Sequence, residues 1–245
     1  RRVLFRSGKD LLPRQSISDL VKTLLDQTEI PRIRLSSIEP WDVSPELISL
    51  FENPRLSPHL HIPLQSGSDE ILRKMNRPMN TARFREMLAL IRNEKKDFAI
   101  TTDIICGFPG ETEELFHQSL EFIEECQFSG GHVFPFSALQ GTAAFSMPEQ
   151  VQHSIRRERT ALVRQVLDES EMAFISRRLG ESAQVLFEGK TKGKIEYQEE
   201  LVWQGWSEDF LKVFVPSEEN LHNRIMDVQL DELTATGKII AHVIS

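Results

Sequence analysis

Apolar positions along the chain fall into two regimes. From Ser18 to about Ser137, helical spacing and strand-like alternation take turns. "SDLVKTLLDQ" sets Leu20, Val21, Leu24 and Leu25 on one helical face. "RIRLSS" (32–37) alternates as a short strand, and "SPELISLFEN" (44–53) follows with Ser44 as N-cap, Pro45 at the first helical position and Leu47, Ile48 and Phe51 as its apolar side. "HLHIPLQ" (59–65) predicts a strand with Leu60, Ile62 and Leu64 on one face and His59, His61 and Gln65 on the other. "SDEILRKM" and "TARFREMLALIRNEKK" predict helices, "FAITTDIICG" a strand, "ETEELFHQSLEFIEEC" a helix and "GGHVFPFS" (130–137) a further strand. Strands separated by helices predict parallel βα units, in an open sheet or a barrel. In both, function gathers at the C-terminal ends of the strands. Those ends read "SSIEP", "PLQSGSD", "GFPGET" and "FPFSALQGT", all polar or backbone-exposing.

The texture changes after Gly141. "MPEQVQHSIRRERTALVRQVLDESEMAFISRRLG" predicts one long helix, started by Ser146 and Pro148 and stopped by Gly180. "AQVLFE", "KIEYQEELVWQG", "LKVFVP", "MDVQLDEL" and "KIIAHVI" then predict five short strands and no helix, the pattern of a small OB-like β-barrel. The expected division is residues 8–179 as the α/β part with its connecting helix and 180–245 as the barrel. Residues 1–7 stand apart, because "RRVLFRS" is what one frame of a common sequencing-adapter oligonucleotide encodes. A native basic strand is the alternative. The adapter reading implies a sequence that starts within a gene.

Composition narrows the classes. With 40% apolar and 27% charged residues the sequence is that of an ordinary globular protein, and no apolar run nears the roughly 20 residues of a membrane helix. Cys106 and Cys126 are the only cysteines, too few for a disulfide framework and suited to a reducing cytoplasm. A net charge of −8 argues against a bulk electrostatic grip on nucleic acid. Residues 180–245 hold 6 Lys and Arg against 12 Asp and Glu, so RNA binding there must be local. Lys190, Lys192 and Lys194, close to Tyr197, Trp203 and Trp206, offer the basic–aromatic mixture that single-stranded RNA uses.

Three stretches carry candidate chemistry. In Gly107-Phe108-Pro109-Gly110-Glu111 the glycines permit positive φ, which lets backbone approach a phosphate, a nucleoside or a carboxylate. Alternatively Glu111 only complements a helix N-terminus. Asp103 shares its strand face with Ile105 and Gly107. His59 and His61 form an H-x-H pair, either metal ligands of a barrel hydrolase or hydrogen-bonded interior imidazoles. Gln65, Ser66 and Ser68, around Gly67, suit hydrogen bonding to a polar ligand. The isolated cysteines read as core, and Arg156, Arg157, Arg159 and Arg164 as a solvated helix face.

"RIRLSSIEP", "HLHIPLQSGSDEILRKMNR", "TTDIICGFPGETEE" and "HVFPFSALQGT", in that order, resemble the radical S-adenosylmethionine methylthiotransferases. The β-rich tail lies where that family carries its RNA-binding TRAM domain. "RLSSIEP" and "HVFPFS" look most like the MtaB type, which methylthiolates N6-threonylcarbamoyladenosine at C2 beside the tRNA anticodon, position 37. The resemblance runs from about Gly8 to Ser245. It implies a partial (β/α) radical-SAM-type barrel with S-adenosylmethionine across the strand ends, then the small all-β domain. It also implies cofactor contacts from Gln65, Ser66, Ser68, Asp103, Gly107, Gly110 and Glu111, a cofactor-carboxylate partner in Arg77, and adenine contacts from His132, Phe134 and Pro135. Glu39 would face the target nucleotide. The family uses two [4Fe–4S] clusters and an electron donor, one cluster held by C-x-x-x-C-x-x-C. Neither thiolate set occurs in this sequence, so the expectation is an inactive piece of a tRNA-modifying, cytoplasmic transferase. A non-catalytic RNA-binding protein and a metal-dependent barrel hydrolase using His59 and His61 are the competing readings.

Overall fold

A computed structural model describes residues 14–95, 97–195 and 198–244, with backbone alone at 192–195 and 198–201. The elements are α1 (Ile17–Gln27), β1 (Ile33–Leu35), α2 (Pro45–Ser49), β2 (Leu56–His61), α3 (Asp69–Lys74), α4 (Thr81–Glu94), β3 (Ala99–Cys106), α5 (Glu113–Cys126), β4 (Gly131–Pro135), α6 (His153–Arg178), β5 (Ser182–Ile195), β6 (Gln198–Ser207), β7 (Lys212–Pro216), β8 (Ile225–Leu233) and β9 (Ile239–Val243). Contacts divide the chain between Ser170 and Glu171, inside α6, rather than at its end by Gly180.

In the first unit, β1 to β4 form a parallel sheet in chain order. Its helices start where short polar side chains satisfy the first free amides. Ser16 accepts from the Asp19 amide in a capping box, Ser44 from Leu47, Asn80 from Arg83 and Thr112 from Leu115. Arginines serve the opposite ends. Arg55 donates to the carbonyls of Thr28 and Leu25 beyond and within α1, and Arg92 to those of Cys126 and Gln127 at the end of α5.

The hydrophobic core lies on one face of this sheet. Leu56, Leu60, Ile100, Ile104 and Val133 point into it and meet α1, α2, α4, α5 and the first half of α6. Phe84, fully buried, is its hinge-pin, with Phe122 and Phe128 packed edge-on at 6.2 and 6.1 Å. The other face carries polar side chains, among them His61, Thr101 and Asp103.

The predicted long helix begins six residues late. From Met147 to Gln152 the chain is not helical, since Pro148 donates no amide hydrogen and Glu149 sits at φ +59°. Gly180 ends the helix as expected, at φ +81°. The second unit is a closed barrel of the five predicted strands in the order β5-β6-β7-β9-β8. The strand boundary moves: the first strand runs on to Ile195, taking in Lys194 and Ile195, which were expected to open the second. Gly205 allows closure: a Cβ there would lie 2.4 Å from the Leu186 carbonyl oxygen.

Phe84→Ala should destabilise the first unit by about 3–5 kcal/mol, the ordinary cost of an unfilled aromatic site. Urea unfolding followed by far-ultraviolet circular dichroism checks it, an unshifted midpoint being the contrary result.

Candidate functional site

β2 ends at His61, Ile62 still donates to the Thr101 carbonyl at 2.8 Å, and the regular ladder to β3 then breaks. The Thr102 hydroxyl fills the gap, donating to the Ile62 carbonyl at 2.9 Å and accepting from the Leu64 amide at 3.1 Å. The backbone then rejoins β3 through the Gln65 amide to the Asp103 carbonyl and the Ile105 amide to the Gln65 carbonyl, both 2.8 Å. Gln65 pays with φ +70°, a left-handed conformation uncommon for a residue with a side chain. Backbone strain of this kind concentrates at functional sites.

Beyond Gln65 the loop turns inward. Gly67 donates to Ser119 Oγ of α5 at 2.7 Å, and a Cβ there would meet the Ser119 carbonyl oxygen at 2.5 Å. Ser66 and Ser68 are buried, Ser66 Oγ accepting from the Ser68 amide. Ser68 Oγ is buried with no partner among the described residues.

Register sets the polar face. His61 pairs with Thr101, Asp103 with His132, and Ile105 with Phe134, and in a parallel sheet such partners share a side. His61 Nε2 lies 3.1 Å from Asp103 Oδ2, and its Nδ1 lies 3.0 Å from Thr101 Oγ1. His59 Nε2 reaches the same hydroxyl at 3.0 Å. The His132 ring is 6.4 Å from His61, and Phe134 is half exposed beside it. Four of the expected cofactor residues, Gln65, Asp103, His132 and Phe134, thus meet at the C-terminal ends of β2, β3 and β4, with Pro135 closing β4.

The H-x-H pair makes its contacts within the protein. Among the described residues no three His, Cys, Asp or Glu side chains are grouped to hold an ion. Both His61 nitrogens face protein oxygens, and burial pushes His59 down to about 3, helped by nearby Arg34 and His61. The interior imidazoles are hydrogen-bonding groups.

The glycine–proline loop is closed from below. Gly107 donates to Glu111 Oε2 at 2.7 Å and Gly110 to the Glu149 carbonyl at 2.9 Å, so these amides are already engaged. Glu111 is buried and receives two bonds from Arg159 Nη1, to Oε2 at 2.9 Å and to its carbonyl at 2.8 Å. Arg159 also reaches Glu113 and lies 5.0 Å over the Phe116 ring. Burial pushes the Glu111 carboxyl upward, against the Gly107 amide and Arg159. Glu111 therefore belongs to the loop's foundation. The side chain of Arg156 fills the space where Gly107 would carry a Cβ and donates to the Phe136 carbonyl. Arg156 and Arg159 were expected to be solvated. The missed signal is that they share a helical stripe with Val163 and Leu167, both buried.

Arg77 and Glu39, expected to face different ligands, face each other at 2.7 Å, with Arg77 4.9 Å over the Trp41 ring. In the barrel, Trp203 is buried rather than presented: Lys190 covers its ring at 4.9 Å and its indole N–H donates to the Glu219 carbonyl. Lys192 and Lys194 hold strand positions opposite Leu201 and Glu199, but their side chains, and Tyr197 entirely, lie outside the described residues. Trp206, named from the sequence beside those lysines, instead joins an aromatic–basic cluster whose other members the sequence reading missed. Trp206 and Phe210 stack at 4.5 Å, Lys212 lies near Trp206 and Phe214, and Lys238 is 5.3 Å from Phe214.

Residues 1–123 match the family model described as the radical SAM superfamily. A threonylcarbamoyladenosine tRNA methylthiotransferase MtaB of Thermotoga maritima is 39% identical over 76% of this chain and 42% of its own length. The MtaB of Bacillus subtilis is 34% identical over 82% of this chain and 44% of its own. A tRNA-2-methylthio-N(6)-dimethylallyladenosine synthase of Thermoanaerobacter is 37% identical over 76% and 40%. The chain spans less than half the length of these relatives. Among solved structures, coproporphyrinogen III oxidase (HemN) of Escherichia coli aligns over 66% of this chain and 36% of that one, with 18% identity and a TM-score of 0.43.

Two outcomes follow from the buried groups. Arg159→Met should cost about 3–5 kcal/mol by stranding Glu111, and adding Glu111→Gln should recover much of it; urea midpoints of both variants decide. His59 is neutral when folded but protonates below 6.5 when unfolded, so its contribution is complete above 6.5 and declines as pH falls toward about 3. His59→Gln should flatten the stability–pH slope in that window by about 1.4 kcal/mol per pH unit, measured by urea titration at a series of pH values.

Proposed function

This chain belongs to the radical SAM superfamily, and on that premise we propose that it forms the cofactor-orienting and RNA-facing portion of a tRNA methylthiotransferase. Its nucleoside, in this reading, is N6-threonylcarbamoyladenosine at position 37, modified at C2. The carrying observation is the polar strip of His61, Asp103, His132 and strained Gln65 at the ends of a parallel sheet, within the segment that the superfamily model matches. The MtaB relatives and the motifs "RLSSIEP" and "HVFPFS" support the threonylcarbamoyl choice.

The family's cofactors are S-adenosylmethionine and [4Fe–4S] clusters. The strip suits the first by donor type. Asp103 offers a carboxylate to a cationic or N–H-bearing group, Gln65 both a donor and an acceptor, and Phe134 an apolar face half open to a purine. The buried Ser68 hydroxyl has a hydrogen bond still to give. Arg77 suits the cofactor's carboxylate only if Glu39 yields it. A cluster does not fit. Cys106 and Cys126 are buried, with thiols pushed up to about 12 chiefly by burial, whereas cluster ligands are thiolates. The reading accordingly gives this chain no radical step of its own.

S-adenosylmethionine bound with a cluster supplies radical chemistry; this chain's residues supply placement and electrostatics. Asp103 would hold the cationic end, Gln65 and the buried serines would hold the loop beside the ribose, and His132, Phe134 and Pro135 of β4 would meet the base. The barrel contributes tRNA contacts through Trp206, Phe210, Lys212 and Lys238, where stacking and cation–π attraction act together. An electron donor completes the assembly. A cytoplasmic setting goes with tRNA, and among the described residues no helix is long and apolar enough to cross a membrane.

Residues 14–244 exchanged for the matching segment of the Thermotoga relative test this reading. In a host lacking methylthiolated adenosines, mass spectrometry of tRNA nucleosides should find 2-methylthio-N6-threonylcarbamoyladenosine. Methylthiolated dimethylallyladenosine instead would reassign the substrate. A folded, cluster-loaded chimera without either product would remove the function.

A further inference from the structure

Four side chains on the polar face of the sheet form one continuous hydrogen-bonded chain, and its polarity follows from what each group is able to donate. Asp103 Oδ2 lies 3.1 Å from His61 Nε2, His61 Nδ1 lies 3.0 Å from Thr101 Oγ1, and Thr101 Oγ1 lies 3.0 Å from His59 Nε2. An ionised carboxylate only accepts, so the His61 proton belongs on Nε2. With a single proton on the ring, Nδ1 is bare and accepts, which turns the Thr101 hydroxyl hydrogen toward it. The Thr101 oxygen in turn accepts from His59 Nε2. Every hydrogen bond therefore points toward Asp103.

We propose that Thr101, His61 and His59 are positioning residues that hold Asp103 as a permanent acceptor, oriented for a ligand group bearing a positive charge or an N–H. The inference rests on the reading of Asp103 as a ligand contact, and it selects among the roles a strand-end carboxylate might take. A general base passes on the proton it receives. Here a proton arriving on Asp103 has no route along the chain, because His61 already carries hydrogen on the facing nitrogen. Reversing the chain would also load a proton onto His59, which is buried and neutral down to about 3. The chain buttresses negative charge and does not drain protons. Thr101, one hydroxyl between two imidazoles, is the element that selects the His61 tautomer.

The chain itself, labelled with 15N-histidine, provides the test. Long-range 1H–15N correlation near neutral pH should find His61 as a single neutral tautomer, protonated on Nε2 with Nδ1 bare. His61 as an imidazolium, or protonated on Nδ1, would overturn the proposal. Thr101→Val, checked for folding by circular dichroism, should release His61 into exchange between tautomers. It should also weaken S-adenosylmethionine binding about tenfold in calorimetry, the scale of one lost hydrogen bond to a charged group. A His61 tautomer unchanged in that variant would count against Thr101. The two readings fail separately. Wild-type chain with the expected tautomers and no affinity for S-adenosylmethionine removes the cofactor reading alone, whereas binding with the wrong tautomer removes this one alone.

Discussion

The buried pair of Glu111 and Arg159 is the contact on which the strand-end architecture turns. It joins the exit of β3 to α6, and through Glu111 it fixes the Gly107 amide at the head of the glycine–proline loop. Two charges removed from water cost several kcal/mol each, offset by close geometry and added hydrogen bonds. Here Glu111 receives Gly107 and Arg159, and Arg159 spreads over two carboxylates, a carbonyl and an aromatic ring, while its buried Nε meets no partner among the described residues. A pair so constrained admits one arrangement of the loop. Hydrophobic residues could have supplied equal stability with less geometric definition, so the gain lies in specificity.

That definition matters because the sheet is asymmetric. Helices cover one face with a continuous apolar core, and the opposite face presents imidazoles, a threonine and an aspartate. Alternation along β3 sends Ile100, Thr102 and Ile104 to the core side and Thr101, Asp103 and Ile105 to the other. Thr102 is the polar residue on the core side of β3, and its hydroxyl bridges the Ile62 carbonyl and the Leu64 amide where the ladder breaks, just before the left-handed Gln65 rejoins it.

Much of this was legible in the sequence, because periodicity reports burial. The four parallel strands, their helices, the five-stranded barrel and the common strand face of His59 and His61 all follow from spacing. Partnership was not legible, since it depends on which distant elements meet. Arg159 looks like any arginine on a charged helix until α6 is laid against the β3 loop, 48 residues away in sequence from Glu111. Glu39 and Arg77 looked like separate ligand contacts and prove to be each other's partner. Trp203 looked like a stacking platform, yet its strand turns the ring inward while Trp206, three residues on, joins Phe210. The start of α6 was misjudged because Ser146 and Pro148 resemble a helix start, whereas the left-handed Glu149 delays it.

The barrel raises the question of how an acidic segment would hold an acidic polymer. With 12 acidic against 6 basic residues from Gly180 onward, long-range attraction works against the encounter. At physiological salt such fields fade over about 8 Å, so contact chemistry outweighs net charge once the surfaces touch. Lys212 and Lys238 lie within 6 Å of aromatic rings that organise their ammonium groups. Trp206 and Phe210 add a stacked pair whose attraction to a base carries no charge requirement. On the proposed reading such a surface would bind few phosphates, so its affinity would depend less steeply on salt than that of a basic groove. It would act as a local guide for a nucleotide delivered mainly by other contacts, in keeping with a sheet whose strand ends are arranged to orient a ligand.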